Sequence, residues 1–249
     1  MKELKSILAL LAVVLFLGAC SDDTVTDPVD ETFSFPLAVG NMWTYDVYEL
    51  DENENMTDVK IGTNKIIIGE AVTLDGRAGF SYSEESTPDD GDEDEPNVSS
   101  ISSDEDGLYI YFESFSEEEG NPLNGYSPGW VKIIDFKNSS WEALNIPIDV
   151  TDDEGNNTKG SLKMTGSSVG KVDVTYKGKS YSAMKFKTTT AINVTITSSE
   201  GSFSTDGGDD SYFVIISGIG IFETKSIETD DLTGIKGGEV ELLIDHKLN

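Results

Sequence analysis

Apolar side chains in this chain recur every second residue, and no stretch after residue 20 keeps a helical period over three turns. Val172, Val174 and Tyr176 alternate with Asp173, Thr175 and Lys177. A turn at Lys177-Gly178-Lys179 follows, and Met184 and Phe186 then alternate with Lys185 and Lys187. Ile192, Val194 and Ile196 repeat the pattern, as do Leu108, Ile110 and Phe112 against Tyr109 and Tyr111. A period of two puts alternate side chains on opposite faces of an extended chain. Further strands are predicted over 43–50, 59–70, 72–83, 130–136, 161–165, 212–216, 220–228 and 239–246. Only residues 141–144 read as a short turn of helix.

Turn-forming residues separate these segments, 24 glycines among them. Strands that follow one another without helices imply an antiparallel sheet. Its edges need protection, so the expected fold is all-β, a strongly curled half-barrel or barrel-like sheet with very little helix. Residues 84–100 interrupt the pattern. Asp89, Asp90, Asp92, Glu93, Asp94 and Glu95 lie between Pro88 and Pro96, and their mutual repulsion predicts a disordered acidic insert. Smaller loops are expected at 51–55, 152–157 and 206–210.

The first 32 residues read differently. Lys2 and Lys5 precede an apolar run over 7–17, which ends at Leu17-Gly18-Ala19-Cys20. That run is about half the roughly 20 residues a membrane span needs. A charged start, a short apolar core and small residues at the end mark an export signal. The tetrapeptide LGAC resembles the lipobox of bacterial lipoproteins, a family in which the cysteine becomes the new N-terminus and carries acyl chains such as palmitate. The resemblance implies a signal peptide over 1–19, lipid on Cys20, and anchoring to a bacterial outer membrane or cell surface. Two or more acyl chains hold a protein stably where one does not. Residues 20–32 are polar, acidic and broken by Pro28, as suits a flexible tether before a β domain over 33–249. Cys20-Ser21-Asp22-Asp23 resembles the surface-export signal of Bacteroidota lipoproteins, and Asp23-Thr24-Val25 resembles their O-glycosylation site, with Thr24 as acceptor.

Composition removes several functions. Asp and Glu number 47 against 17 Lys and Arg, a formal net charge of −30, and Arg77 is the sole arginine. Nucleic-acid binding needs clustered cations and is not expected, nor is adhesion to anionic head groups. With Cys20 the only cysteine and His246 the only histidine, one chain can build neither a Cys/His zinc site nor a Cys–His nucleophile pair. No G-x-S-x-G elbow occurs to recruit His246. The chain is therefore not expected to be an enzyme. Calcium is the one cofactor the acidic loops suggest. Ser102-x-Asp104-x-Asp106-Gly107, with Glu113 twelfth, follows the spacing of an EF-hand loop, but a strand occupies the place of its helix. Asp90, Asp92 and Asp94 share the spacing without the glycine. A carboxylate pair for glycan hydrolysis could arise among so many acids, yet no pair is singled out.

Residues 35–48 (FPLAVGNMWTYDVY) resemble the opening of a group of exported β-rich lipoproteins of unknown function. That group also carries a Gly-Leu-Tyr strand, here Gly107-Leu108-Tyr109, and a closing strand, here Gly218-Ile219-Gly220-Ile221-Phe222-Glu223. The resemblance implies no catalytic residues. Trp43 and Tyr45 face one side of the first strand, either as core anchors or as an aromatic platform for a ligand. Ile110, Phe112, Met184 and Phe186 have the parity of a dry core or of an apolar pocket. The expected role is a non-catalytic binding or scaffold module whose partner is an envelope protein, glycan or lipid. A carrier holding a hydrophobic ligand in its concave sheet is the alternative, and a carboxylate hydrolase the third reading.

Overall fold

The computed structural model describes residues 33–89, 96–112, 127–151, 155–199, 201–229 and 236–249. Phe33–Asn249 form one compact unit. Twelve antiparallel strands build it: β1 (Met42–Leu50), β2 (Met56–Leu74), β3 (Arg77–Pro88), β4 (Asn97–Ser103), β5 (Gly107–Phe112), β6 (Gly129–Asp135), β7 (Ser140–Thr151), β8 (Asn157–Tyr176), β9 (Lys179–Ser198), β10 (Gly201–Ile216), β11 (Gly220–Thr229) and β12 (Lys236–Lys247). No helix occurs among the described residues.

The sheet is an up-and-down meander curled into a nearly closed barrel. Strands pair with their neighbours in sequence except β6 with β7, and β1 pairs with β12, from Met42 opposite Lys247 to Glu49 opposite Glu239. Only β6 and β7 lie at the ends of the strand order. There the barrel is shut by side chains: Val131 of β6 packs with Leu144 and Ile146 of β7. Curling thus hides both edges from other chains.

Local chemistry sets the turns. Asp75-Gly76 and Lys177-Gly178 both take positive φ at their two central residues (49° and 78°, 48° and 76°), the backbone a two-residue hairpin requires. The β2–β3 turn therefore falls at Asp75, not near residue 71 as the sequence suggested. A bulge between Ile68 and Ala71 carries β2 through that point.

Three other expectations are corrected. Residues 141–144 belong to β7, not to a helical turn, because Leu144, Ile146 and Ile148 are buried while Asn145, Pro147 and Asp149 are exposed. The bulge between Glu142 and Leu144 breaks the alternation that would have marked this segment. The insert expected at 84–100 is ordered ladder at both ends. Glu84 pairs with Asn97 across β3 and β4, and Lys65 neutralises Glu85 at 2.9 Å. Residues 90–95 lie outside the described residues. Finally, 206–210 is strand: Asp210 is held by Lys187 at 2.8 Å and by the Thr189 hydroxyl at 2.6 Å, and Asp206 accepts a hydrogen bond from Asn193.

Inside the barrel, one end is filled with aromatic rings. The lead-in segment before β1 brings Phe33 against Phe136 (centroids 4.6 Å apart) and Phe35 against Trp43 (5.8 Å). Phe186 and Trp141 join this cluster. Asn41, fully buried, ties the segment down. Its Nδ2 donates to the Pro36 carbonyl at 3.2 Å and its Oδ1 accepts the Asn249 N–H at 2.8 Å.

Candidate functional site: an interior cavity with a carboxylate mouth

Eight strands make a barrel just wide enough for side chains to fill, and diameter grows with strand number. Twelve strands leave room. Between the aromatic end and the other end lies a cavity of about 320 Å³. Its walls are apolar: Trp43, Ile66, Ile68, Ile110, Phe112 and Phe213 are among the residues that face it. The volume is at the lower edge of the roughly 300–1,000 Å³ of small-molecule sites.

Trp43 and Tyr45 set the floor. The indole Nε1 donates to the Ile219 carbonyl at 2.6 Å, and the Tyr45 hydroxyl donates to the Ile221 carbonyl at 3.1 Å. Both side chains are 2 % exposed. They are core anchors whose rings look inward, and they form no exposed platform. Burial, with Glu241 nearby, raises the Tyr45 phenol well above its ordinary range.

The polar end is built on β2, β3 and β12. Asn64, 3 % exposed, donates from Nδ2 to Glu84 Oε1 at 2.5 Å and to Glu241 Oε1 at 2.9 Å. The Ser86 hydroxyl donates to Asn64 Oδ1 at 3.4 Å. Glu84, Glu241 and Asn64 also border a second pocket of about 360 Å³, with Val47, Pro88 and Glu239 on its walls. The two spaces therefore meet at the carboxylates. Burial pushes the Glu241 carboxyl up to about 7, with the Asn64 hydrogen bond opposing and Glu84 and Glu239 adding to the rise. Glu239 is raised too, first by burial and then by Glu228 and Glu84. Among the described residues no Lys or Arg forms an ion pair with Glu84, Glu239 or Glu241.

No match to a family model or to a curated protein was found. Three solved structures are similar at low identity. A lipoprotein assigned in Parabacteroides distasonis shares 13% identity at a TM-score of 0.48, over 88% of this chain and 100% of its own. An exported protein of Bacteroides fragilis with a YmcC-like fold shares 10% at 0.43, over 86% and 99%. The hypothetical lipoprotein YmcC of Escherichia coli shares 12% at 0.31, over 83% and 84%.

The other residues singled out from sequence fall elsewhere. Cys20, Thr24, Asp90, Asp92, Asp94 and Glu113 lie outside the described residues. Asp104 caps the β4–β5 hairpin. Its Oδ1 accepts the N–H groups of Asp106 (2.8 Å) and Gly107 (3.1 Å), and its Oδ2 meets Arg77 at 2.8 Å. Asp106 pairs with Lys137 at 2.6 Å. These two aspartates are spent on protein partners, and among the described residues no three His, Cys, Asp or Glu converge as metal ligands. His246 meets the Tyr176 hydroxyl through Nδ1 at 2.8 Å. Of the four suggested lining residues, Ile110 and Phe112 face the cavity, whereas Met184 and Phe186 pack in the aromatic core.

Asn64, Glu84, Glu239 and Glu241 were not legible from sequence. Along β12 the apolar residues Val240 and Leu242 would be placed inside and Glu239 and Glu241 outside. Instead Glu241 lies on the cavity wall, while Val240 and Leu242 cluster with Tyr48 and Tyr212 on the opposite face and Glu239 is exposed.

Proposed function

We propose that this chain is a lipid-anchored envelope protein that binds an apolar or amphipathic small molecule inside its barrel, without catalysis. The observation that carries the reading is the apolar cavity of about 320 Å³ on the inner face of a nearly closed sheet. Interiors normally pack without voids of this size, so a chain that keeps one forgoes packing energy. Binding offsets that loss. The LGAC sequence at residues 17–20 supports attachment through Cys20 to the outer membrane or cell surface. A scaffold acting through its outer surface has no need of the cavity. Hydrolysis draws no support from the mouth either, since Asn64 already bridges Glu84 and Glu241 by direct hydrogen bonds.

The test is native mass spectrometry of the protein purified without detergent, then incubated with an envelope lipid extract. The expected result is a near-stoichiometric adduct below about 500 Da, a mass in keeping with a cavity at the small end of ligand sites. A bare mass before and after incubation would return the chain to the scaffold reading.

A further inference from the structure

The polar end of the cavity has an unbalanced charge. Two carboxylates, Glu84 and Glu241, share a single neutral donor, the Asn64 amide, and Glu239, exposed on β12, borders only the outer pocket. A buried carboxylate is costly unless it is paired with a cation, hydrogen-bonded on its remaining lone pairs, or protonated. Among the described residues no lysine or arginine reaches this trio; nearby Lys65 is bound to Glu85 on the opposite face of β3. What lies next to the trio is the apolar cavity, open to it at Glu84 and Glu241.

We propose that the ligand is an amphiphile with a primary ammonium head, seated against Glu84 and Glu241 with its alkyl body along Ile66, Phe112 and Phe213. This rests on the cavity reading above and narrows its ligand class. An ammonium has three donors and no acceptor, which matches a wall of acceptors. Anionic amphiphiles such as fatty acids meet two carboxylates and are rejected. An uncharged alcohol gains the apolar contact but leaves the charge unbalanced.

The proton balance follows. In the empty site one proton rests on Glu241 up to about pH 7. The groups that face it are Glu84 from β3, Glu239 from its own strand, Tyr45 from β1 and Asn64 from β2, none of them a cation. When the ammonium docks, Glu241 gives that proton to solvent and forms an ion pair. Below about pH 7 binding therefore releases up to one proton, and affinity rises with pH until Glu241 is ionised in the free protein.

The experiment is isothermal titration of the purified, detergent-free protein with dodecylammonium, dodecanol and dodecanoate, each below its aggregation threshold, alongside displacement of the neutral dye Nile red. At about pH 8 dodecylammonium should bind at least tenfold tighter than dodecanol, the size expected of a charge-assisted hydrogen bond, with dodecanoate weaker than either. Repeating the titration at about pH 6 in two buffers of different ionisation enthalpy should reveal proton release. Glu241→Gln should shrink the amine-to-alcohol ratio at least fivefold. Glu85→Gln, one residue from Glu84 and on the outer face, should leave the ratio unchanged. If Glu241→Gln does not fold, Glu84→Gln serves in its place. Equal binding of amine and alcohol, or preference for dodecanoate, overturns the ammonium assignment and leaves the cavity reading intact. Failure of Nile red and all three amphiphiles to bind overturns both.

Discussion

Asp135, at the end of β6, offers a quantitative check on how the barrel is held at its seam. Its side chain is 3 % exposed and takes four hydrogen bonds. Oδ1 accepts the N–H groups of Lys137 (2.9 Å) and Asn138 (2.8 Å), and Oδ2 accepts Asn138 Nδ2 (2.9 Å) and Lys132 Nζ (3.0 Å). Burial works against the charge, and these donors, led by Asn138, outweigh it and hold the carboxyl at about 2 against an ordinary 3.8. At about 1.36 kcal/mol per unit, the ionised form contributes roughly 2.5 kcal/mol to folding. Because the folded value is depressed, that contribution is complete above about pH 4 and is lost as pH falls through about 2. Asp135→Asn keeps the shape but removes the charge. At neutral pH it should cost about 2–3 kcal/mol, or a Tm lower by about 5–10 °C for a domain of this size. The assay is urea unfolding of both proteins, followed by tryptophan fluorescence, at several pH values between about 7 and 2. The difference between wild type and variant should shrink toward zero at the acid end. A difference that stays constant across that range, or never exceeds about 0.5 kcal/mol, would refute the argument that these donors bind the charge.

Two further substitutions probe the interior. Gly166 lies under the Trp141 ring, and a Cβ there would collide with it, so Gly166→Ala should cost about 1–3 kcal/mol; Trp141→Leu in the same chain should recover part of the loss in a double-mutant cycle. Glu241 has a raised carboxyl, so its native form binds protons more tightly than the unfolded chain, and stability should fall as pH rises from about 4.5 to 7. Glu241→Gln should abolish that fall and make the empty protein about 2–3 kcal/mol more stable at about pH 8 by thermal unfolding, whereas an unchanged pH profile would show that Glu241 is not the group that titrates.

Much of the architecture was readable one strand at a time. The alternation of Val172, Val174 and Tyr176, the turn at Lys177-Gly178, and the inward parity of Trp43 and Tyr45 all reappear in the fold. Such features depend on a few adjacent residues. The curled, barrel-like sheet was expected, but its strand order was not readable, because that order rests on β1 meeting β12, segments with no local signal for each other. The carboxylate mouth was hidden for a different reason. Polarity marks Glu241 as a solvent residue, and only the packing of Val240 and Leu242 on the other face reveals that β12 is turned over. At residues 141–144, a single bulge was enough to disguise a strand. In each case the missing information is long-range contact, which composition and period do not carry.

The β1–β12 ladder also bears on how such a chain reaches its final form. Every other ladder joins strands that follow one another in sequence, so each hairpin can zip after closing a loop far shorter than the span from β1 to β12. The β1–β12 ladder instead brings together Met42 and Lys247, far apart along the chain. Two meanders, β1 to β6 and β7 to β12, should therefore assemble early and independently, with their union at β1 and β12 as the slow, high-contact-order step. Until that union, both meanders would present their future inner faces to water, and the apolar walls of the cavity would be the stickiest surface the immature chain owns.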